Sequence, residues 1–308
     1  MLLKQVFSLS LIVSLFIVSG CFESKDSHPD AVYLGATLGV GNITDQVSKA
    51  KKHYKPEPTL YSLMVFWDEL FPDNIASHVL KRGGILNVQW TPQLQDAFEE
   101  FSLPEINEGV WDDHLFSWAK AVREYEYPVF ITFAPDFNQR ASGHFSLRDP
   151  IKQKEEFIAA YRYIVDLFRE EDAHNAIWVW QFNVDEATFP MVVTKHLYPG
   201  GNYIDWMGVS SQVSENASVD VMYSHVLDNF QEDIPTKPIM WTLHQKVPLP
   251  NGVDSVKRTL SFVDQKNTKI RGLIFDFYDS YCYNTLKTPL KGSKFRSERD
   301  KLQNTLTR

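Results

Sequence analysis

Little in this 308-residue sequence offers itself for metal, redox or serine chemistry. It has two cysteines, Cys21 and Cys282, and nine scattered histidines with no His-x-x-x-His or Cys-x-x-Cys spacing. A dedicated zinc site is therefore not expected, and no cofactor is implied. No Gly-x-Ser-x-Gly elbow presents a serine nucleophile. Of the 14 glycines, Gly35, Gly39 and Gly41 form a loose turn whose spacing misses the dinucleotide fingerprint. The formal charge is -8, and no basic stretch is interleaved with aromatics, so nucleic acid is not the expected partner.

What the chain has in quantity is apolar and aromatic surface. A hydrophobic content of 44%, with eight Trp, 13 Tyr and 21 Phe, suffices for one large domain with a substantial core. The N-terminus reads as a charged Met1-Leu2-Leu3-Lys4, an apolar stretch over 6–18, then Ser19-Gly20-Cys21. That stretch is short for a membrane span and reads as the core of a signal peptide. Val18-Ser19-Gly20-Cys21 is similar to a bacterial lipobox, in which the cysteine is lipidated and becomes the first mature residue. The expectation is a lipoprotein signal over 1–20, a lipid anchor and polar tether over 21–30, and a single domain over 31–308. Phe22 rather than Asp after Cys21 favours the outer membrane. Lipidation would leave Cys282 as the sole thiol, without an intramolecular disulfide; among Tyr281 and Tyr283 it reads as buried and inert.

Strand-like and helix-like segments alternate along the rest of the chain. Short runs rich in β-branched and aromatic residues lie at 31–35, 60–67, 84–90, 129–133, 176–182, 206–210, 238–242 and 272–278. Between several of them lie helical patterns. Leu115, Trp118, Ala119 and Val122 share one face, and Phe157, Tyr161, Ile164, Val165 and Phe168 share another. For the second helix Asp149 is the expected N-cap, with Pro150 at the first helical position. A third pattern runs through Val256, Leu260 and Val263. Eight strands with interposed helices predict a (β/α)8 TIM barrel rather than a doubly wound sheet.

A barrel gathers its strand ends at one rim. These carry Trp67 and Asp68, Gln89 and Trp90, Asp136 and Asn138, Trp180 and Gln181, Ser211 and Gln212, Trp241 and His244, and Asp276 and Tyr278. Indole faces alternating with amides and carboxylates suit a sugar cleft, where rings stack on C–H faces and polar groups take the hydroxyls. Trp67, Trp90, Asn138, Trp180, Gln181, Gln212, Trp241, Asp276 and Tyr278 are accordingly the candidate sugar contacts.

At these positions the chain resembles glycoside hydrolase family 26, the β-mannanase family. The resemblance rests on Gly109, Trp111-Asp112-Asp113, Trp118-Ala119 and Pro128-Val129 through Asp136-Phe137-Asn138. It extends to Trp90-Thr91-Pro92, Trp178-Val179-Trp180, Tyr198-Pro199-Gly200, Asp205-Trp206-Met207-Gly208 and Lys237-Pro238. The resemblance implies a barrel with an acid/base glutamate after the fourth strand and a nucleophilic glutamate after the seventh, cleaving β-linked mannan or related glucans with retention. The family's pattern after the fourth strand is Arg, two intervening residues, His, Glu, an apolar residue, Asn, Gly. Here Thr132, Pro135, Asp136, Phe137, Asn138 and Gln139 stand instead. Asp136 thus occupies the acid/base position with a carboxyl ~1.5 Å shorter in reach, a misplacement that can cost on the order of 100-fold. Leu243 is expected at the nucleophile position, with His244 facing the other way.

These departures point to a cell-envelope lipoprotein that binds a β-linked polysaccharide without standard retaining hydrolysis, in its export, assembly or uptake. One alternative is an active glycoside hydrolase using Asp136 with an atypical partner, such as Asp276, Glu186 or Asp68. Another is an envelope scaffold that binds protein.

Overall fold

The computed structural model describes residues 31–39, 41–53, 57–95, 102–139, 147–185, 190–212, 219–230, 237–245, 252–266, 268–277 and 295–296. Eight parallel strands run β1 (Val32–Leu38), β2 (Leu60–Phe66), β3 (Ile85–Thr91), β4 (Val129–Phe133), β5 (Ala176–Asn183), β6 (Trp206–Gln212), β7 (Ile239–Gln245) and β8 (Ile270–Phe277). Each pairs with its successor, and β1 pairs with both β8 and β2, which closes the (β/α)8 barrel. Among the described residues eight helices lie between strands: α1 (Ile43–His53), α2 (Asp73–Lys81), α3 (Leu103–Asn107), α4 (Asp112–Tyr125), α5 (Lys154–Glu170), α6 (Met191–Lys195), α7 (Val219–Phe230) and α8 (Gly252–Gln265). A two-residue strand, β9 (Phe295–Arg296), pairs with Val32 and Tyr33 at the start of β1.

The expected N-cap of α5 differs. Asp149 instead accepts the Lys152 backbone N–H on its carboxylate at 3.2 Å, closing a turn ahead of the helix, and Gln153 stands at the N-cap. Asp and Pro at the head of a periodic run suit a turn as well as a cap.

Side chains alternate along each strand between the barrel axis and the helix layer. Toward the start of the strands the axis is filled by apolar groups, among them Leu60, Ile85, Phe130, Trp206, Met240 and Ile274, with Phe130 and Trp206 in edge contact at 5.2 Å. One step toward the strand ends the inward residues turn polar: Ser62, Asn87, Thr132, Gln181, Ser210 and Thr242 are all buried. The outward residues join a much larger core between barrel and helices. Its centre is a column of indoles, with Trp90 stacked on Trp67 at 4.6 Å and on Trp118 of α4 at 4.0 Å. Stacked aromatics of this kind add to the burial of their large apolar faces.

At Gly208 the axis has no space for even a methyl group. A Cβ built there would lie 2.6 Å from the Gln181 Cβ and 2.9 Å from its backbone Cα. Gly208→Ala is expected to cost about 1–3 kcal/mol through this overlap, lowering the Tm by several degrees in thermal melts. An unchanged Tm would mean that β5 and β6 separate freely.

Candidate functional site

The polar stratum rises into a connected network at the C-terminal mouth of the barrel. Asn87 donates to Ser62 Oγ at 3.2 Å, and Thr132 donates to Asn87 Oδ1 at 3.3 Å. Gln89 reaches both Thr132 Oγ1 (3.3 Å) and Gln181 Oε1 (3.4 Å). The Gln181 side-chain N–H then donates to Asp136 Oδ1 at 3.0 Å, and the Ser210 hydroxyl donates to the same oxygen at 2.5 Å. Asn183 in turn donates to Ser210 Oγ at 2.9 Å. Buried polar groups satisfied in this way fix one another's rotamers.

Local backbone geometry aims Asp136 at the axis. Beyond β4, both Ala134 (φ 50°) and Asp136 (φ 57°) adopt the left-handed conformation. For non-glycine residues this costs of order 1 kcal/mol or more each, and such strain concentrates at functional sites. Phe137 holds the turn from the other side, buried against Phe157 (4.7 Å) and Trp180 (5.6 Å).

Across the mouth stands His244 of β7. Its Nδ1–H donates to Asp276 Oδ2 of β8 at 2.8 Å, and its Nε2 lies 3.8 Å from Asp136 Oδ2, too far for a hydrogen bond. Nε2 is buried without a hydrogen-bond partner. Asp185 completes the set at the end of β5, its Oδ1 accepting the Gln212 backbone N–H at 2.9 Å. Burial opposes charge on His244. The hydrogen bond to Asp276 and the charges of Asp136, Asp276 and Asp185 outweigh it, and the imidazole pKa is raised. Burial raises the Asp185 pKa, assisted by the charge of Asp136 and opposed by hydrogen bonds from Gln212 and Asn183 and by His244. The side chains of Asp136, His244 and Asp276 keep 17%, 24% and 33% exposure, so the rim remains open to solvent. An imidazole fixed by one carboxylate and facing another is equipped for proton transfer.

The expected site residues divide sharply. Asp136, Gln181, Gln212 and Asp276 meet at the mouth. Trp67, Trp90, Trp180 and Trp241 do not: each is 0% exposed and faces the helix layer, so the expected indole-lined cleft is not formed by these rings. Alternation explains this, because the polar neighbours Gln89 and Gln181 take the inward positions. Trp241 instead donates its indole N–H to Ser211 Oγ at 3.0 Å behind the barrel wall. Asn138 is also fully buried. It bonds the Asn183 backbone in both directions at 2.8 Å and so pins the loop after β4 to the end of β5. Leu243 does not occupy a nucleophile position. It is 2% exposed in the helix-facing core, and the inward residues of β7 are Met240, Thr242 and His244. Asp68 ties the loop after β3 by accepting the Gln95 N–H at 3.0 Å. Tyr278, Glu186, Cys282 and Cys21 lie outside the described residues.

The residues that the strand-end inventory left out are Ser210, Asn183 and Asp185. His244 stands in it, and its inward direction follows once the structure puts Met240 on the axis. A shallow groove of about 350 Å³ between α2 and α4, lined by Asp73, Ser77, Glu124 and Tyr125, lies on the outer flank and shares no residue with the mouth. Among the described residues no group of His, Cys, Asp and Glu could hold a metal ion, and no helix is long and apolar enough to cross a membrane.

Comparison with known proteins places the barrel. No family model matches the chain. Over 212 residues, 67% of the chain, it is 25% identical to Endoglucanase H of Acetivibrio thermocellus, a match that spans 22% of that protein's length. Among solved structures, the GH26 domain of an endo-β-mannanase/endo-β-glucanase from Prevotella bryantii aligns with a TM-score of 0.61 at 11% identity, over 89% of this chain and 92% of that one. The Bacillus subtilis mannanase man26 aligns with a TM-score of 0.59 at 14% identity, over 86% of each chain. The chain has the fold of the family 26 glycoside hydrolases.

A raised folded-state pKa means that the proton on His244 stabilises the fold. That stabilisation is full below the unfolded value of about 6.5 and is lost as pH rises through the folded value. The Tm advantage of the native protein over His244→Gln should therefore shrink as pH rises above about 6.5. An advantage that grows with pH would show that His244 is neutral in the fold.

Proposed function

We propose that this barrel binds a β-linked polysaccharide of mannan or glucan type in its mouth, without the two-glutamate retaining hydrolysis of the fold family. The observation that carries this reading is the seat opposite Asp136. The inward side chain near the end of β7 is an imidazole committed to Asp276, not a carboxylate able to form a glycosyl ester. Around it Gln89, Gln181, Gln212 and Asp136 supply the hydrogen-bonding groups that sugar hydroxyls require. The half-buried Phe66 and the 40% exposed Met64, on β2, supply apolar surface on the inward side in place of the buried indoles. The named activities of the similar proteins, endoglucanase and endo-β-mannanase, support β-linked mannan or glucan as the class.

In the same reading the chain is an envelope lipoprotein held through Cys21 at the outer membrane, presenting the mouth to glycan during export, assembly or uptake. Replacing Cys21 with Ala should move the protein from the membrane to the soluble fraction and abolish incorporation of labelled palmitate. Persistent labelling would exclude Cys21 as the anchor.

The binding reading is tested on the full chain carrying Cys21→Ala, by calorimetry with β-1,4-mannohexaose and cellohexaose. Saturable binding to at least one, weakened roughly 10-fold or more by Gln181→Ala through loss of buried hydrogen bonds, is expected. Absence of binding to a broad glycan array would overturn it in favour of a protein-binding scaffold.

A further inference from the structure

The side chains at the mouth have unequal commitments. Asp136 Oδ1 accepts hydrogen bonds from Gln181 and Ser210, which occupy that oxygen and hold the side chain in place. Its Oδ2 faces His244 Nε2 at 3.8 Å. His244 is fixed by Asp276 through Nδ1, which leaves Nε2 as its one working nitrogen, buried and without a hydrogen-bond partner. An imidazolium backed by a carboxylate is a good proton source.

We propose that the mouth cleaves β-glycosides slowly with the family's two roles exchanged: His244 is the acid/base and Asp136 is the carboxylate that takes the anomeric carbon. This rests on the glycan-binding reading above. In the first step Nε2–H gives its proton to the glycosidic oxygen as the C1–O bond breaks, and the alcohol leaves. Asp136 Oδ2 bonds to C1, forming an ester. In the second step Nε2 takes a proton from water as the water oxygen attacks C1, and the carboxylate is released. One water is consumed, and His244 returns to its starting protonation. Asp276 is a positioning residue: it holds the tautomer and the ring plane without touching the sugar. The raised pKa of His244 fits the acid role, and the groups facing it are Asp136, Asp276 and Asp185.

The present spacing is closed. Retaining carboxyl pairs lie roughly 5 Å apart, so His244 must turn outward by about 1 Å to admit a glycosidic bond. Catalytic contacts of this kind commonly reach working geometry only with substrate bound. Its 24% exposure at a strand end leaves room on the solvent side.

The test compares two probes on the full chain with Cys21→Ala. One is β-1,4-mannohexaose or cellohexaose, whose alcohol leaving group needs a proton. The other is the matching 2,4-dinitrophenyl β-glycoside, whose phenolate leaves without one. Wild type should release reducing ends from a hexaose. His244→Gln should lose on the order of 100-fold or more there and under about 10-fold in cleavage of the dinitrophenyl glycoside, read as the phenolate burst. Asp136→Asn should lose heavily on both. Asp276→Asn, which preserves shape, should shift the basic limb of the pH profile to lower pH. If His244→Gln loses equally on both probes, or wild type binds a hexaose without cleaving it, the inference is overturned while the binding reading stands. If no glycan binds, both fall.

Discussion

In an extended strand every second side chain faces the same way, and a closed barrel gives those two faces different fates. The axis is narrow and ends in a solvent-open mouth; the outer face lies under helices. Once Leu60, Ile85, Phe130, Met240 and Ile274 are committed to the axis, alternation decides the rest. Gln89, Gln181, Ser210 and His244 rise toward the mouth, and Trp90, Trp180, Trp241 and Leu243 pass to the helix layer. The indoles contribute to this protein by welding helices to the barrel wall. The mouth is left to short polar side chains on strands that the indoles hold rigid.

That division gives the mouth its electrostatic character. Three carboxylates, Asp136, Asp185 and Asp276, come from the ends of three different strands and act on one imidazole. The cost of burying His244 as a cation is met by the Asp276 hydrogen bond and by the two further charges. The strained backbone at Ala134 and Asp136 is the complementary expense. A left-handed turn between two buried phenylalanines, Phe133 and Phe137, is what carries the carboxylate inward. Strain at this one strand end, where the polar network terminates, is the pattern expected of a working site.

The architecture was readable from the amino-acid pattern because apolar runs and turn residues recur eight times. The eight strands fall on the eight runs, with β1 extended to Leu38 and β7 to Gln245. The faces were not readable. Barrel strands are buried on both sides, so Ile177-Trp178-Val179-Trp180 is apolar throughout and carries no alternation to mark its inward side. That is why four indoles read as a cleft and Leu243 as a site residue. Asp136 could be placed because it follows a strand directly. The role of His244 depended on a parity that only the register of β7 against β6 and β8 supplies. The role of Asn138 was hidden for a different reason: its two-way bond with Asn183 joins the loop after β4 to the end of β5, 45 residues away.

The central claim is that the glycan sits in the mouth between Asp136 and His244. A crystal structure of the protein with a bound β-1,4-linked hexasaccharide tests it most directly. The account predicts one sugar ring at the mouth, its anomeric carbon facing Asp136 and its glycosidic oxygen within hydrogen-bond reach of His244 Nε2. An oligosaccharide bound only on the outer flank between α2 and α4, with the Asp136 and His244 side chains still in mutual contact, would contradict it.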